Sequence, residues 1–241
     1  MFGMFFGKPE ETPFGLKRFG KERFPEQYPA VIDEWADPIP SDTAEMAILR
    51  PLLKNTNLES RALRVTYNAN QQGWSATKFH QAVDKQGGAL VFCKTTSGLI
   101  CGGYNPKGWV GYGENRGSIA AFLFVQNKSS NSNTNKNDPN YQPFIKLRKV
   151  GGAGMAQMDN PECGPCFGAD SLVIPLNSYD RNPKVARSKL GSYYERFTDG
   201  TNSLFGKNNA SVQLSDLKVY HGVYEEGEYV PFTDAEPFAL Y

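Results

Sequence analysis

Most of the chain after residue 60 consists of short apolar runs separated by clusters of glycine, proline, asparagine and serine. Apolar runs of this length that are bounded by turn residues predict β-strands. We predict strands at Ala62 to Tyr67, Ala89 to Cys93, Leu99 to Gly103, Ile119 to Val125, Phe144 to Val150, Ser171 to Pro175 and Asp216 to Tyr220. Because these strands do not alternate with helices, the pattern favours a two-sheet antiparallel β-sandwich over a parallel sheet.

Two segments have the periodicity of a short amphipathic helix. The first follows Asp42, a predicted N-cap with Glu45 at the third helical position, and is limited or kinked by Pro51. Its apolar stripe is formed by Ala44, Ala47, Ile48, Leu52 and Leu53. We therefore expect a mostly β domain, spanning residues 41–222, that contains a few short helices.

The second helix is predicted to start at Ser75 and to end at the Gly87-Gly88 pair. It carries Phe79 and Val83, which lie four residues apart and therefore share one face.

The N-terminal segment has a different composition. Residues 1–28 contain seven aromatic residues, four glycines and three prolines with neither helical nor alternating periodicity. Disordered segments are usually poor in aromatic residues, so these rings are expected to lie on a protein surface. We predict an extended arm over residues 1–40, which packs either on its own domain or on another protein.

Two further segments are polar. Residues 127–140 are rich in serine, asparagine and lysine and predict an exposed loop insertion. The C-terminal tail, residues 223–241, contains five acidic residues and no basic ones.

Charge and hydropathy exclude several classes of function. The chain has 26 basic and 25 acidic residues among 241, so no strong field attracts nucleic acid or an anionic membrane. No apolar run reaches the roughly 18 residues of a membrane span, which leaves peripheral membrane association through a partner. Four cysteines do not make a disulfide scaffold, and we expect an intracellular protein.

The tetrapeptide Cys163-Gly-Pro-Cys166 matches the redox motif of thioredoxin. That chemistry needs the first cysteine at a helix N-terminus, where its thiolate is stabilised. Here Gly168 and a predicted strand follow instead, so dithiol catalysis is disfavoured. The spacing of the four cysteines also disfavours a zinc site, and we predict neither a metal nor a cofactor.

Cys93 and Cys101 lie at similar distances from a predicted hairpin turn, so they can face each other across two strands. Small buried hydrophobic residues, a disulfide and a shared metal remain alternatives for this pair. The only histidines, His80 and His221, have no serine or cysteine nucleophile near them in sequence, so we expect a structural or surface role for each. The sequence therefore contains no catalytic constellation, and we predict that the protein is not an enzyme.

Five sequence blocks occur in a fixed order: NANQQGWSATKFH at 68–80, GGY at 102–104 with Trp109, SIAAFLF at 118–124, GPCFGADSL at 164–172 and LGSYY at 190–194. Their order and spacing resemble the TLDc domain family over about residues 46–222. The residues that match the family motifs are Gly73, Phe79, Gly102, Gly103, Gly164, Phe167, Gly168, Asp170, Gly191, Ser192, Tyr193 and Tyr194. Cys163 and Cys166 occupy variable positions of the family motif, so their match to the thioredoxin motif is coincidental.

The resemblance implies a β-sandwich, protection against oxidative stress and, in several members, binding to the vacuolar proton-pumping ATPase. It brings no settled catalytic residues. Neither a LysM nor a Rab-GAP module accompanies the domain here. The segment from Asn105 to Gly113, in combination with RFGKERFP at 18–25, is similar to TLDc proteins of plants and algae, which implies a plastid location, with the cytoplasm as the alternative.

Our leading hypothesis is a non-enzymatic interaction module that docks on a larger protein assembly, such as a plastid or membrane-associated complex. Aromatic and arginine side chains usually dominate contacts of this kind. The predicted partner-binding residues are Phe2, Phe5, Phe6, Phe14, Lys17, Arg18, Phe19, Arg23 and Phe24. The alternatives are a regulator of a vacuolar-type ATPase and a redox-active protein that uses Cys163 and Cys166.

Overall fold

A computed structural model of the chain describes residues 24–127, 143–152, 154–177 and 182–234, together with the backbone of two short strands before residue 24. The strands are β1 (Glu10–Glu11), β2 (Lys17–Arg18), β3 (Leu63–Asn68), β4 (Ala89–Thr95), β5 (Ile100–Asn105), β6 (Phe122–Gln126), β7 (Phe144–Arg148), β8 (Cys166–Phe167), β9 (Leu172–Val173), β10 (Val185–Arg187) and β11 (Ser211–Gly222). The predicted class, mostly antiparallel β, is confirmed.

The sheet is organised around β11. Within the described residues, hydrogen bonds join nine strands in the order β7-β6-β5-β4-β11-β10-β9-β8, and β3 also pairs with β11. The first part of β11 pairs with β10, its last part pairs with β3, and β4 runs along most of its length. The antiparallel pairing was predicted. The predicted division into two separate sheets is not confirmed, because β11 pairs with β4 and β3 and also with β10, so that one hydrogen-bonded path connects all nine strands.

The helices are short: α1 (Ala44–Leu49), α2 (Ala69–Gln72) and α3 (Ala76–Val83), with 3₁₀ turns at Pro25–Gln27 and Arg50–Leu53. The predicted cap of α1 was wrong by one residue. Thr43 is the N-cap, and its hydroxyl accepts a hydrogen bond from the Met46 backbone NH. The carboxylate of Asp42 instead pairs with the guanidinium of Arg50. That hydrogen bond holds the pKa of Asp42 below its usual value.

The guanidinium of Arg50 is fully buried and also donates to three backbone carbonyls, those of Leu58, Glu59 and Arg61. It therefore ties α1 to the loop that leads into β3. Ser75 precedes α3 as predicted, although its hydroxyl makes no capping hydrogen bond.

Both faces of the sheet are covered. Alternate residues of β4 enter different apolar clusters: Val91 and Cys93 join one, and Leu90 and Phe92 join the other. Side chains alternate between the two faces of a strand, so the two clusters lie on opposite sides of the sheet. The first cluster contains α3 and the strands β8 to β10, and the second contains α1.

Residues 24–40 lie against the face that carries α1. The ammonium of Lys146 donates to the carbonyls of Val31 and Glu34, at 3.1 Å in each case, and it lies 4.6 Å from the centre of the Trp35 ring. Trp35 in turn packs against the second apolar cluster. This part of the predicted arm therefore covers the domain's own core.

The beginning of the acidic tail also contacts the domain. Glu228 forms an ion pair with Arg61, and the carbonyl of Phe232 accepts a hydrogen bond from Arg116. The polar insertion predicted at 127–140 lies, apart from Asn127, outside the described residues. Among the residues that the structure describes, no helix has the length and apolar character needed to span a membrane.

Candidate functional site

Residues from separate sequence blocks form a line of aromatic rings beneath the sheet. The ring of Phe79 on α3 packs edge to face against Trp109, with 5.0 Å between ring centres. Trp109 contacts Phe167 of β8 at 6.5 Å, and Phe167 contacts Tyr194 at 6.4 Å. All four side chains are at least 99% buried. Such pairs contribute about 0.5–1.5 kcal/mol each beyond their buried area.

Glycines of the motif blocks make room for these rings. A Cβ atom on Gly103 of β5 would lie 2.8 Å from Phe167 Cζ and from Leu123 Cδ2, which is closer than real Cβ atoms approach. Gly168 has φ +62°, and a Cβ there would lie 2.8 Å from Tyr193 Cβ. These two positions need glycine for packing, and Gly168 needs it for its backbone conformation as well.

Other motif residues support the same region through the backbone. The hydroxyl of Tyr194 donates to the carbonyl of Ala156 at 2.6 Å, and the hydroxyl of Tyr67 donates to the carbonyl of Gly73 at 2.7 Å. The NH of Gly164 donates to the carbonyl of Pro175 at 2.7 Å. These bonds connect the loop after α2 and the loop before β8 to the core.

The remaining motif residues have varied surroundings. A Cβ on Gly102 would lie 2.7 Å from Phe124 Cζ. Gly191 has φ +108°, which favours glycine, and Ser192 is exposed. Asp170 is half-buried and faces the exposed Lys189 ammonium at 3.8 Å. The motif residues thus build and support the core, and none of these contacts forms a catalytic dyad.

The comparison with protein families agrees with this arrangement. A family model described as the TLDc domain matches residues 41–218. The chain belongs to the TLDc family. TLDc domains are in general interaction modules. A search among curated proteins gave no match.

In this TLDc domain the Cys163-Gly-Pro-Cys166 segment does not begin a helix. Cys166 starts the short strand β8, and its thiol donates to the carbonyl of Gly168 at 3.2 Å. Burial raises the pKa of the Cys166 thiol to about 12. A thiol with this pKa is almost wholly protonated at neutral pH and is a weak nucleophile.

Cys93 and Cys101 face each other across β4 and β5, as their spacing predicted. Both are buried in the first apolar cluster, and burial raises the pKa of the Cys93 thiol. All four cysteines lie within the described residues, and no disulfide joins them.

His221 lies near the end of β11 and is fully buried. Its Nδ1 lies 2.7 Å from the Thr66 hydroxyl, while Nε2 has no hydrogen-bond partner among the described residues. Burial, with a smaller contribution from the Arg64 charge, lowers the pKa of His221 to about 3. The ring is neutral at physiological pH, in line with a structural role.

His80 has a more polar environment than its sequence position indicates. Its Nε2 lies 3.0 Å from the carbonyl of Asn160 and 2.9 Å from that of Cys163. Its Nδ1 lies 2.8 Å from Asp84 Oδ1 and 4.0 Å from Asp159 Oδ1. The ring therefore connects α3 to the loop that carries the Cys163 segment.

These surroundings shift the pKa values in the cluster. Burial alone would lower the pKa of His80, but the hydrogen bond and charge of Asp84, the Cys163 carbonyl and the Asp159 charge outweigh it and raise the pKa. Burial raises the pKa of Asp159, although its Oδ2 accepts hydrogen bonds from the backbone NH groups of Val110 and Gly111 at 2.9 and 2.8 Å.

Neither aspartate was predicted from the sequence to belong to a site. The four-residue spacing of His80 and Asp84 was a usable signal, because it brings both side chains to one face at the end of α3. Asp159 gave no such signal, since only the tertiary structure brings it to this place.

Of the predicted partner-binding residues, only Phe24 has a described side chain, and it is half-buried. The others lie outside the described residues, apart from the β2 backbone at Lys17–Arg18. A surface cavity of about 390 Å³ lies close to where the arm joins the domain. Its lining includes Gln27 from the arm, Ile119 from the loop before β6 and Phe232 from the tail.

Proposed function

We propose that this TLDc protein is a non-enzymatic interaction module that docks on a larger protein assembly through its N-terminal leader, residues 1–23. The observation that carries the proposal is the attachment of residues 24–36 to the sheet. Lys146 binds the carbonyls of Val31 and Glu34, and the Nε of Arg148 donates to the carbonyl of Ala30 at 3.1 Å. The leader therefore starts from a fixed position on the domain.

The chemistry of the leader fits such a contact. It contains Phe2, Phe5, Phe6, Phe14 and Phe19 next to Lys17, Arg18 and Arg23. Buried aromatic rings and arginines are the usual anchors of protein interfaces. The nearby cavity offers additional apolar surface for a partner. Ile119, which lines it, is 40% exposed.

The buried thiols support a role without covalent catalysis. A thioredoxin-type mechanism would use the Cys163 thiolate, and no helix begins at Cys163 to stabilise it; the buried Cys166 thiol has a raised pKa and is a weak nucleophile. We accordingly propose that protection against oxidative stress, the role implied by the family resemblance, operates through binding rather than through these thiols. We further propose an intracellular location, in a plastid or in the cytoplasm, which a fluorescent fusion in the native cells would test.

The experiment compares the full chain with a chain that begins at residue 24. Both are immobilised and exposed to extract from the native source, and the bound proteins are identified. We expect one assembly to be retained by the full chain and lost by the shorter chain at equal thermal stability. Retention by both chains would refute docking through the leader.

A matched control keeps the length of the leader. In one variant the five leader phenylalanines are replaced by serine, and in the other Glu10 and Glu11 are replaced by glutamine. The first should lose the assembly and the second should keep it. Purified vacuolar-type ATPase forms a separate arm: leader-dependent loss of ATP hydrolysis would identify the pump as the assembly.

A further inference from the structure

His80, Asp84 and Asp159 form a cluster of potential metal ligands. One ligand atom from each residue, Nδ1 or a carboxylate oxygen, lies within 4.8 Å of the other two. His80 and Asp84 come from the end of α3, whereas Asp159 comes from the loop before the Cys163 segment. The side chains of His80 and Asp159 are 8% and 0% exposed, and that of Asp84 is 25% exposed. The cluster is therefore buried on one side and open to solvent at Asp84.

The orientation of His80 is fixed by its other nitrogen. Nε2 faces two backbone carbonyls, which only accept hydrogen bonds, so this nitrogen carries a proton. Histidines that bind metals typically donate their second NH to a carbonyl or carboxylate in this way. In the neutral ring, the lone pair of Nδ1 then points toward Asp84 and Asp159.

Asp159 is the most deeply buried of the three side chains. Its residue is 1% exposed, and two backbone NH groups bind Oδ2, but Oδ1 has no hydrogen-bond partner among the described residues. This oxygen is the one that faces His80 Nδ1. Without a metal, the protonated ring of His80, 4.0 Å away, is the cation that faces this oxygen, and a metal ion bound between them would compensate the carboxylate charge at closer range.

We propose that His80 Nδ1, Asp84 Oδ1 and Asp159 Oδ1 bind one divalent transition-metal ion of the zinc type. Imidazole and carboxylate ligands suit such ions, and three protein ligands leave a fourth position for water. Bond lengths of about 2.0–2.2 Å in a tetrahedral site separate neighbouring ligands by about 3.4 Å. The distances of 2.8 and 4.0 Å from Nδ1 to the two carboxylates lie on either side of this value.

Gly111 is a positioning residue for this site. It has φ +78°, its NH donates to Asp159 Oδ2, and a Cβ atom would overlap Asp84 Oδ2. The site is independent of the leader, so the outcome of the docking experiment does not affect it.

A proton competes with the metal for the same place. Without metal, the proton on Nδ1 is donated to Asp84; zinc replaces it, and that proton passes to solvent. Binding should therefore release protons, which calorimetry in two buffers with different ionisation enthalpies measures directly.

The test uses the full chain after treatment with a chelator and titration with zinc chloride. We expect one zinc ion per chain, a rise in melting temperature and proton release. Asp84→Asn and Asp159→Asn should each weaken zinc binding by at least about tenfold. Asp170→Asn, a half-buried aspartate outside the cluster, and Cys163→Ser, which removes the neighbouring thiol, should bind zinc within about twofold of the native chain.

Several results would overturn the proposal. These are no binding at one equivalent of zinc, a zinc affinity in both aspartate variants equal to that of the native chain, or binding that depends on Cys163 instead. Asp84 is partly exposed at the end of a helix, so its variant should fold even if the Asp159 variant does not. Nitrogen-15 spectra of the His80 ring add a second readout, because zinc must remove the proton from Nδ1 and leave the one on Nε2.

Discussion

The ammonium of Lys146 on β7 lies 4.6 Å from the centre of the Trp35 ring and is held by the carbonyls of Val31 and Glu34, which both precede that ring in sequence. Lys146 is only 3% exposed. Residues that precede the family match at 41–218 therefore cover a charged and apolar part of the sheet.

This contact predicts where the stable domain begins. A chain starting at residue 41 should be less stable than one starting at residue 24 by about 2–4 kcal/mol, because it uncovers the surface under Trp35 and removes both acceptors of Lys146. Urea unfolding of the two chains measures the difference. Equal stabilities would show that residues 24–40 contribute nothing to the core.

Because Gly103 packs directly against Phe167, a larger side chain at position 103 should destabilise the fold. Gly103→Ala should lower the free energy of unfolding by about 1–3 kcal/mol, because the added methyl group meets Phe167 and Leu123 at 2.8 Å. Gly154→Ala is the matched control, since a Cβ at that position has no neighbour within 4 Å. If both variants unfold at the same urea concentration, the proposed overlap is absent.

The raised pKa of Cys166 predicts slow alkylation. With a pKa of about 12, its thiolate fraction at pH 8 is roughly a thousandfold below that of an exposed cysteine with a pKa near 8.5. Mass spectrometry after timed iodoacetamide treatment should find Cys166 unmodified in the folded protein. Urea-unfolded protein is the control. Rapid labelling of Cys166 under native conditions would contradict this prediction and support the redox alternative.

The buried neutral ring of His221 predicts a loss of stability in acid. Its folded pKa of about 3 lies below the ordinary value of 6.5, so the unfolded chain binds more protons between these two values. The free energy of unfolding should therefore fall as the pH drops below about 6.5. At pH 5 the contribution of His221 alone is about 2 kcal/mol.

A variant isolates this contribution. His221→Asn removes the titrating group, so the difference between native and variant stability should change by about 2 kcal/mol between pH 7 and pH 5. A difference that stays constant across this range would mean that His221 does not titrate abnormally.

The sequence pattern was most informative where apolar residues alternate or cluster within one strand. β4 and β5 lie close to their predicted positions, and the facing cysteines follow from them. β10 was missed, because a strand of three residues leaves too short a pattern. The predicted strand at Ile119 begins only at Phe122, since the preceding residues form a turn.

Two features could not be predicted from local sequence patterns, namely the full length of β11 and the polar partners of His80. β11 starts at Ser211, five residues before its prediction, because pairing with β10 extends a segment that is mostly exposed. The partners of His80 were not predictable together, since Asp159 is distant in sequence and reaches the ring only through the fold. The motif glycines could be recognised, but their neighbours could not.

The position of β11 in the sheet affects how the protein is made. β4 ends at Thr95 and pairs on one edge with β5, whereas its other partner, β11, begins at Ser211, about 115 residues later. At synthesis rates of about 5–20 residues per second, one edge of β4 waits roughly 6–23 s on the ribosome for its partner. During that interval the nascent chain exposes the unpaired edge of an apolar strand, and such edges favour aggregation.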